Sequence, residues 1–282
     1  AFGQGAPSIT ATKLTPTLVL LSGNGCNVAL VIGANGLMMV DGGLPENAAA
    51  MLKAVAGVDS HPVTTVFNTH WHFDHIGCNE ALGKMGAKII AHENTKKHLS
   101  EKVTMELFNR TFEPLQPQGR PVESFARSGK MTFEKEAIEY AHVEPAHTDG
   151  DAYVHFTGPN VLHTGDLLFK DTYPVIDYST GGWIGGMAAA CDVMAKVGNA
   201  QTRVIPGHGP MATRADLIAS RDMMRTVQDR LMPMVKQGRS VDEVVKGAPT
   251  KDLDEKWGKG FMTPENFVRA AYTSLVRRQK AS

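Results

Sequence analysis

The chain has 282 residues, enough for one large domain or two modest ones, and its 42% hydrophobic content can bury a sizeable core without a disulfide framework. Its 29 Lys and Arg balance 29 Asp and Glu, which argues against an electrostatic nucleic-acid partner, and no apolar run approaches the ~20 residues that cross a bilayer. The three cysteines, Cys26, Cys78 and Cys191, are too few and too scattered for a secreted disulfide scaffold.

The chain begins at Ala1 without a Met, and the opening Gly3-Gln4-Gly5-Ala6-Pro7-Ser8 suits a junction left by a removed export signal. A periplasmic or secreted protein is expected on that ground, a cytoplasmic one otherwise. Residues up to about 15 read as a loose arm. Apolar runs at 17–21, 26–32 and 37–41, joined by turns at Gly23-Asn24-Gly25 and Gly33-Ala34-Asn35-Gly36, read as an antiparallel meander. Residues 46–55 carry apolar side chains at helical spacing, and 63–67 is a β-branched buried strand. A helix at 80–85, a strand at 87–91 and a helix at 94–108 follow. Residues 113–130, rich in Pro, Gly and charge, read as a long surface loop and a candidate cover for a site. Strands resume at 138–143, 152–156 and 160–163, then a helix at 187–197 and a strand at 202–205. The remainder reads as helices at 215–232, 241–245 and 264–278. This order describes two similar halves whose helices cover the outer faces of two packed sheets. One domain over 1–282 is expected, with 213–282 as a helical C-terminal extension.

The densest chemistry follows the strand at 63–67, where His70, His72, Asp74 and His75 fall within six residues and Gly77 opens a helix. Neutral imidazole and carboxylate are common metal ligands, and a loop at a strand end aims side chains outward from a rigid scaffold. A His-rich polar surface loop is the alternative. Further donors lie in three Gly-bearing turns that also follow strands: His147 in 145–151, Asp166 after His163-Thr164-Gly165, and His208 between Gly207 and Gly209. Other candidates read as structural. Cys78 suits a small buried hydrophobe. His142, His155 and His163 suit core or surface positions, and His61, His92 and His98 suit the surface. Asp149 and Asp151 suit capping of the turn after His147, and Asp41, at a strand end, could orient the His loop.

The ordered set His70-x-His72-x-Asp74-His75, His147, Asp166 and His208 resembles the signature of the metallo-β-lactamase-fold hydrolase superfamily, over roughly residues 16–212. The resemblance implies an α+β fold, a four-layer αββα sandwich with a metal-bearing groove at one edge of the sheets. It also implies a dinuclear centre, two Zn2+ with Fe or Mn possible: His70, His72 and His147 on one metal, Asp74, His75 and His208 on the other, Asp166 bridging. A metal-bound hydroxide would attack, Asp74 would orient it and shuttle its proton, and Thr69, Thr148 and Gly165 would shape the turns.

The superfamily cleaves β-lactams, thioesters, lactones, phosphodiesters and sulfate esters, so fold alone does not choose the substrate. Asp166 stands where thiolate-dependent β-lactamases carry Cys, which leans toward the glyoxalase-like and lactonase-like branch. The similar lactonases carry a Tyr where this chain has Phe169, so Tyr173 or Tyr178 would have to supply that phenol. Arg221, Arg225 and Arg230 could hold an anionic substrate as in glutathione-thioesterase relatives, or simply face solvent. The aromatic, Gly-rich stretch 171–186 suits a mobile rim that contacts substrate or, equally, an ordinary loop packing its aromatics on the core. Trp71, Tyr173, Tyr178 and Trp183 are accordingly the expected substrate-binding residues, with Phe73 lining or supporting the groove. The expected function is a dinuclear hydrolase of a small ester, thioester, lactone or lactam. The alternatives are a dedicated β-lactamase and a metal-dependent binding or di-iron redox module. The expected partner is a small-molecule substrate, with no nucleic acid and no membrane, in a monomer or small homo-oligomer.

Overall fold

The computed structural model describes residues 8–281, so the expected export junction lies, up to Pro7, outside the described residues. The chain runs β1 (Thr10–Lys13), β2 (Leu18–Asn24), β3 (Cys26–Ile32), β4 (Leu37–Val40), α1 (Ala48–Val58), β5 (Val63–Phe67), α2 (Asn79–Lys84), β6 (Lys88–His92), α3 (Glu93–His98), β7 (Val103–Met105), β8 (Arg110–Phe112) and β9 (Glu123–Phe125). It continues through β10 (Ser128–Phe133), β11 (Glu136–His142), β12 (Ala152–Phe156), β13 (Val161–Phe169), α4 (Ile184–Met194), β14 (Arg203–His208), β15 (Ala212–Thr213), α5 (Arg214–Lys236), α6 (Val241–Lys246), α7 (Asp254–Trp257) and α8 (Pro264–Ala281).

Among the described residues, one sheet has the order β1-β2-β3-β4-β5-β6-β9, a second runs β10 to β15 in sequence order, and β7-β8 is a separate hairpin. Each sheet starts as an antiparallel meander and gains parallel pairs, β4 with β5 and β13 with β14, through helical crossovers. The central strands read as unbroken apolar runs because both faces are covered. In β2 to β4, Leu18, Leu20, Val31 and Met38 meet Ile138, Val154 and Phe156 of the second sheet. Their neighbours Val19, Leu30 and Met39 point the other way, onto Met51, Val55 and Leu82 of α1 and α2. On the far side, Leu162 and Val204 share a core with Met187 of α4, Met224 of α5 and Phe267 of α8. The layers are helix, sheet, sheet, helix: the αββα sandwich expected.

Several local expectations need correction. Residues 10–13 are not a loose arm but an exposed edge strand paired with β2. The helix expected at 94–108 stops at His98, and β-branched Val103 and Thr104 instead pair with Phe112 and Thr111 across a turn where Asn109 takes φ 47°. Residues 113–130 do not cover the site. Gln116 donates to Glu80, Asn79 donates to the Gly119 carbonyl, and β9 adds to β6 at the sheet edge. Residues 163–166 are no turn at a strand end, because β13 runs on through a bulge at Gly165. Among the described residues no helix is long and apolar enough to cross a membrane.

The last helix is part of the core, since the Phe267 ring stacks on buried Tyr173 at 4.2 Å between centroids. Phe267→Ala should therefore lose about 3–5 kcal/mol, read as a lower urea midpoint with an unchanged slope. A midpoint within error of wild type would mean that α8 is not folded onto this core.

Candidate metal centre

Local backbone geometry builds the His loop. At the end of β5, Asn68 exchanges side-chain hydrogen bonds with Asn79 of α2 at 3.0 and 2.8 Å. The His75 amide donates to the His72 carbonyl at 2.9 Å, and the Gly77 amide to the Gly43 carbonyl at 2.9 Å. Behind the loop lies Asp41, fully buried at the end of β4. Its carboxylate accepts from the Thr69 amide, the Thr69 hydroxyl and His75 Nδ1, each at 2.8 Å, so it does orient the loop. In the His147 turn, Asp151 accepts from the His147 and Thr148 amides at 2.7 and 2.8 Å, the capping role expected.

The three distant segments meet the loop. His70, His72, His147 and Asp166 form one group whose ligand-type atoms lie within 4.8 Å of one another, and Asp74, His75 and His208 form a second. Asp166 stands between them: Oδ2 is 3.5 Å from His147 Nε2 and 3.3 Å from His208 Nε2, and Oδ1 is 3.1 Å from His75 Nε2. Asp74 Oδ2 lies 3.3 Å from His208 Nε2 and 3.7 Å from His75 Nε2. All seven residues singled out in the sequence are thus brought together.

The outward partners assign the imidazole tautomers. His72 Nε2 faces Asp177 Oδ2 at 3.1 Å, His75 Nδ1 faces Asp41, His147 Nδ1 faces the Val175 carbonyl at 2.8 Å and His208 Nδ1 faces the Gly25 carbonyl at 2.8 Å. His70 Nδ1 lies 3.0 Å from the Thr69 hydroxyl, whose own proton goes to Asp41. In the neutral tautomers each outer nitrogen carries the proton and each inner nitrogen turns a lone pair to the centre. Two pairs of inner nitrogens then face each other, His147 Nε2 with His72 Nδ1 at 2.9 Å and His75 Nε2 with His208 Nε2 at 3.3 Å, the second pair beside carboxylates that draw protons onto it. His70 Nε2 and Asp166 Oδ1 are buried with no hydrogen-bond partner. Such a set is repulsive until positive charge enters it, so these residues fit divalent cations.

The titration behaviour expresses the same demand. Burial works to lower His208, but the Asp166 and Asp74 carboxylates overcome it and hold the imidazole well above its usual range. Burial likewise opposes charge on His75, where the Asp166, Asp41 and Asp74 carboxylates prevail in the same direction. His147, with burial and His72 both against its charge, falls to about 4. Burial would raise Asp74, yet His75 and His208 draw it down to about 2.

The expected substrate-binding aromatics are placed elsewhere. A cavity of about 460 Å³ opens on His72, Asp74, Asp166 and His208, and none of Trp71, Tyr173, Tyr178 and Trp183 lines it. Trp71 is buried edge-on against His72 and donates to Thr180. The Tyr173 hydroxyl is committed to Asp254 at 2.7 Å, so it cannot serve as the missing phenol. Arg277 and Arg278 lie over the rings of Tyr178 and Trp183. The stretch 171–186 is no mobile rim, since Tyr173, Ile176, Asp177 and Ile184 are buried. Arg221 and Arg230 are paired with Asp192 and Asp252, and Arg225 lies 3.7 Å from Asp192. Phe73 does line the cavity. His92 is buried, not superficial, stacked on His142 at 3.8 Å. Asp177 was missed: its only sequence signal is the run Asp177-Tyr178-Ser179-Thr180, whose hydroxyls and amide cap it locally.

The chain matches the family model described as the metallo-beta-lactamase superfamily over residues 21–223. It is similar to "Metallo-beta-lactamase domain-containing protein 1" of Rattus norvegicus, 36% identical over 92 residues, which is 32% of this chain and 35% of that one. A probable metallo-hydrolase of Streptococcus pyogenes serotype M6 is 23% identical over 211 residues, 71% of this chain and 85% of that one. Among solved structures, the sec-alkylsulfatase Pisa1 from Pseudomonas sp. superposes with a TM-score of 0.72 at 18% identity, over 94% of this chain and 50% of the other. A metallo-beta-lactamase from Pontibacter korlensis does so with a TM-score of 0.64 at 18% identity, over 77% and 99%. This chain thus spans about a third of the rat relative and half of the sulfatase, and the structural likenesses show the fold.

Asp41→Asn keeps the size of the buried side chain but can turn an amide donor toward His75 Nδ1–H. Metal affinity should fall about 10–100-fold while the circular dichroism spectrum stays that of wild type. Competition against a chelator of known affinity checks this, and an unchanged affinity would remove Asp41 from the centre.

Proposed function

This chain belongs to the metallo-beta-lactamase superfamily, and from that premise we propose that it is a metal-dependent hydrolase acting at an acyl carbon of a small ester, thioester, lactone or lactam. The observation that carries this reading is the set of five inward imidazole nitrogens and two carboxylates, Asp74 and Asp166, beside a cavity of substrate size. In this reading His70, His72 and His147 hold one cation, Asp74, His75 and His208 hold a second, and Asp166 serves both. Zinc suits imidazole and carboxylate donors, and a site without thiolate also admits iron or manganese. When bound, such cations supply a water acidified toward neutral pH and a Lewis acid for a carbonyl oxygen.

The chain's own residues supply the rest. Asp74 lines the cavity with its carboxylate 3.3 Å from His208 Nε2 and 3.7 Å from His75 Nε2, where it can orient an attacking water and pass its proton toward the leaving group. The outer hydrogen bonds of His72 and His208, to Asp177 and the Gly25 carbonyl, fix those rings at the cavity floor before substrate arrives. Leu44, Phe169 and Val175 line the cavity beside these polar groups, and their apolar surface displaces water from the reacting centre.

Dialysis against a strong chelator should abolish turnover of a panel of esters, thioesters, lactones and lactams, and added Zn2+ should restore it. His72→Ala should reduce kcat/KM by at least about 10³-fold, and Asp166→Ala should lose bound metal as well as most activity. Full turnover by metal-free protein would overturn the reading. So would either variant with normal rate and full metal content.

A further inference from the structure

The wall of the cavity carries information that its floor does not. Four separate segments contribute apolar side chains: Leu44 after β4, Phe73 in the His loop, Met105 and Phe108 of the hairpin region, and Phe261 before α8. Phe108 and Phe261 are 40% and 78% exposed, yet their rings meet edge to face at 5.6 Å, and both line the same cavity. Single exposed aromatics are ordinary, but two from distant segments joined at one cavity are not.

The hairpin is held where it can act as a wall. The Glu106 amide donates to the Ser179 hydroxyl at 2.9 Å, and the Glu106 carboxylate pairs with Arg277 of α8. Phe73 stacks on Phe112 at 5.4 Å, with the Arg110 guanidinium 4.3 and 4.7 Å from the two rings. Lys170 is the one Lys or Arg among the described residues lining the cavity, and its ammonium is spent on the Met211 carbonyl at 3.0 Å and on Asp216 at 3.7 Å. The wall therefore offers mainly rings and methylenes, with the Lys170 ammonium drawn toward Met211 and Asp216 and the Arg110 guanidinium lying over the Phe73 and Phe112 rings.

We propose that Phe108 and Phe261 are specificity-determining residues and that the substrate carries a neutral apolar chain seated against the wall that they and Phe73 form. This rests on the acyl-hydrolase reading above. Each methylene seated against that wall should raise kcat/KM by up to about fourfold. A chain ending in a carboxylate should lose that gain, because its charge is desolvated against rings.

The test uses the full, zinc-loaded chain with p-nitrophenyl acetate, butyrate, hexanoate and octanoate. Binding of acetamide, hexanamide and the monoamide of adipic acid to the metal-free protein is measured by calorimetry. Expected is a rising kcat/KM along the ester series, with hexanamide bound tighter than acetamide and about tenfold tighter than the adipic monoamide. Phe261→Ala should cut the octanoate-to-acetate ratio about tenfold, mainly through KM, and Phe261→Leu should retain most of it. Met85→Ala, at a residue 68% exposed that does not line the cavity, should keep the wild-type ratio. A flat ester series, hexanamide no tighter than acetamide, or a Phe261→Ala ratio equal to wild type each overturns the proposal. No turnover of any acyl substrate, with hexanamide still preferred, supports the wall and overturns the acyl-hydrolase reading instead.

Discussion

Asp41 leaves β4 in the left-handed region, at φ 65°, and is fully buried there. Asp tolerates that conformation better than most residues, but a buried carboxylate persists only where donors compensate its lost hydration. Three do, and two of them come from Thr69. The Thr69 hydroxyl that gives its proton to Asp41 must then accept from His70, while His75 donates to Asp41 directly. One carboxylate thus sets the tautomer of an imidazole in each of the two ligand groups. It acts on chemistry it does not touch, by deciding which nitrogen of each ring faces inward.

That arrangement is possible only because two sheets bring their edges together. Asp41 and the His loop leave the ends of the parallel pair β4 and β5, while Asp166 and His208 lie late in the parallel pair β13 and β14. Ligands of open α/β sheets gather at such strand ends for the same reason: parallel neighbours release their chains on one side. The approach is close enough to forbid side chains at two positions. A Cβ on Gly165, which sits at φ 52°, would lie 2.5 Å from the Thr69 hydroxyl oxygen, and one on Gly207 would collide with Asp166 Oδ1. Glycine there is a condition for bringing Asp166 against His75 and His208 rather than a relaxed turn.

Much of this was legible in the chain, and the reasons differ by residue. His70, His72, Asp74 and His75 announce themselves because four ligand-type groups within six residues have few other uses. His147, Asp166 and His208 were legible as donors beside glycines close after apolar runs, although Asp166 lies inside β13, and their meeting depends on sheet order, which only the resemblance supplied. The layers followed from runs such as 26–32, apolar on both faces. Strands of three residues, as in β7, β8 and β9, are too short to show a period, so in the sequence the hairpin reads as helix and the edge strand as loop. The aromatics of 171–186 left both readings open because ring content does not distinguish rim from core. What fixes Tyr173 is Asp254 and Phe267, far away in the chain.

The division between floor and wall has a consequence for reading function from this fold. The family match ends at residue 223, whereas Phe261 and the helix that anchors Arg277 lie beyond it. A floor of imidazoles and carboxylates is compatible with the different activities named for similar proteins, a sulfatase and a β-lactamase among them. In this chain, as proposed above, discrimination between substrates falls to the hairpin at 103–112 and the turn before α8, which meet through the Phe108–Phe261 contact, while Glu106 of the hairpin region also pairs with Arg277 of α8. Because α8 also packs on Tyr173 and on the turn at Tyr178–Thr180, beside the Val175 carbonyl and the Asp177 carboxylate that hold His147 and His72, wall and floor rest on one helical layer. Under the proposal above, the choice of substrate and the power to react with it draw on different side chains carried by that one layer.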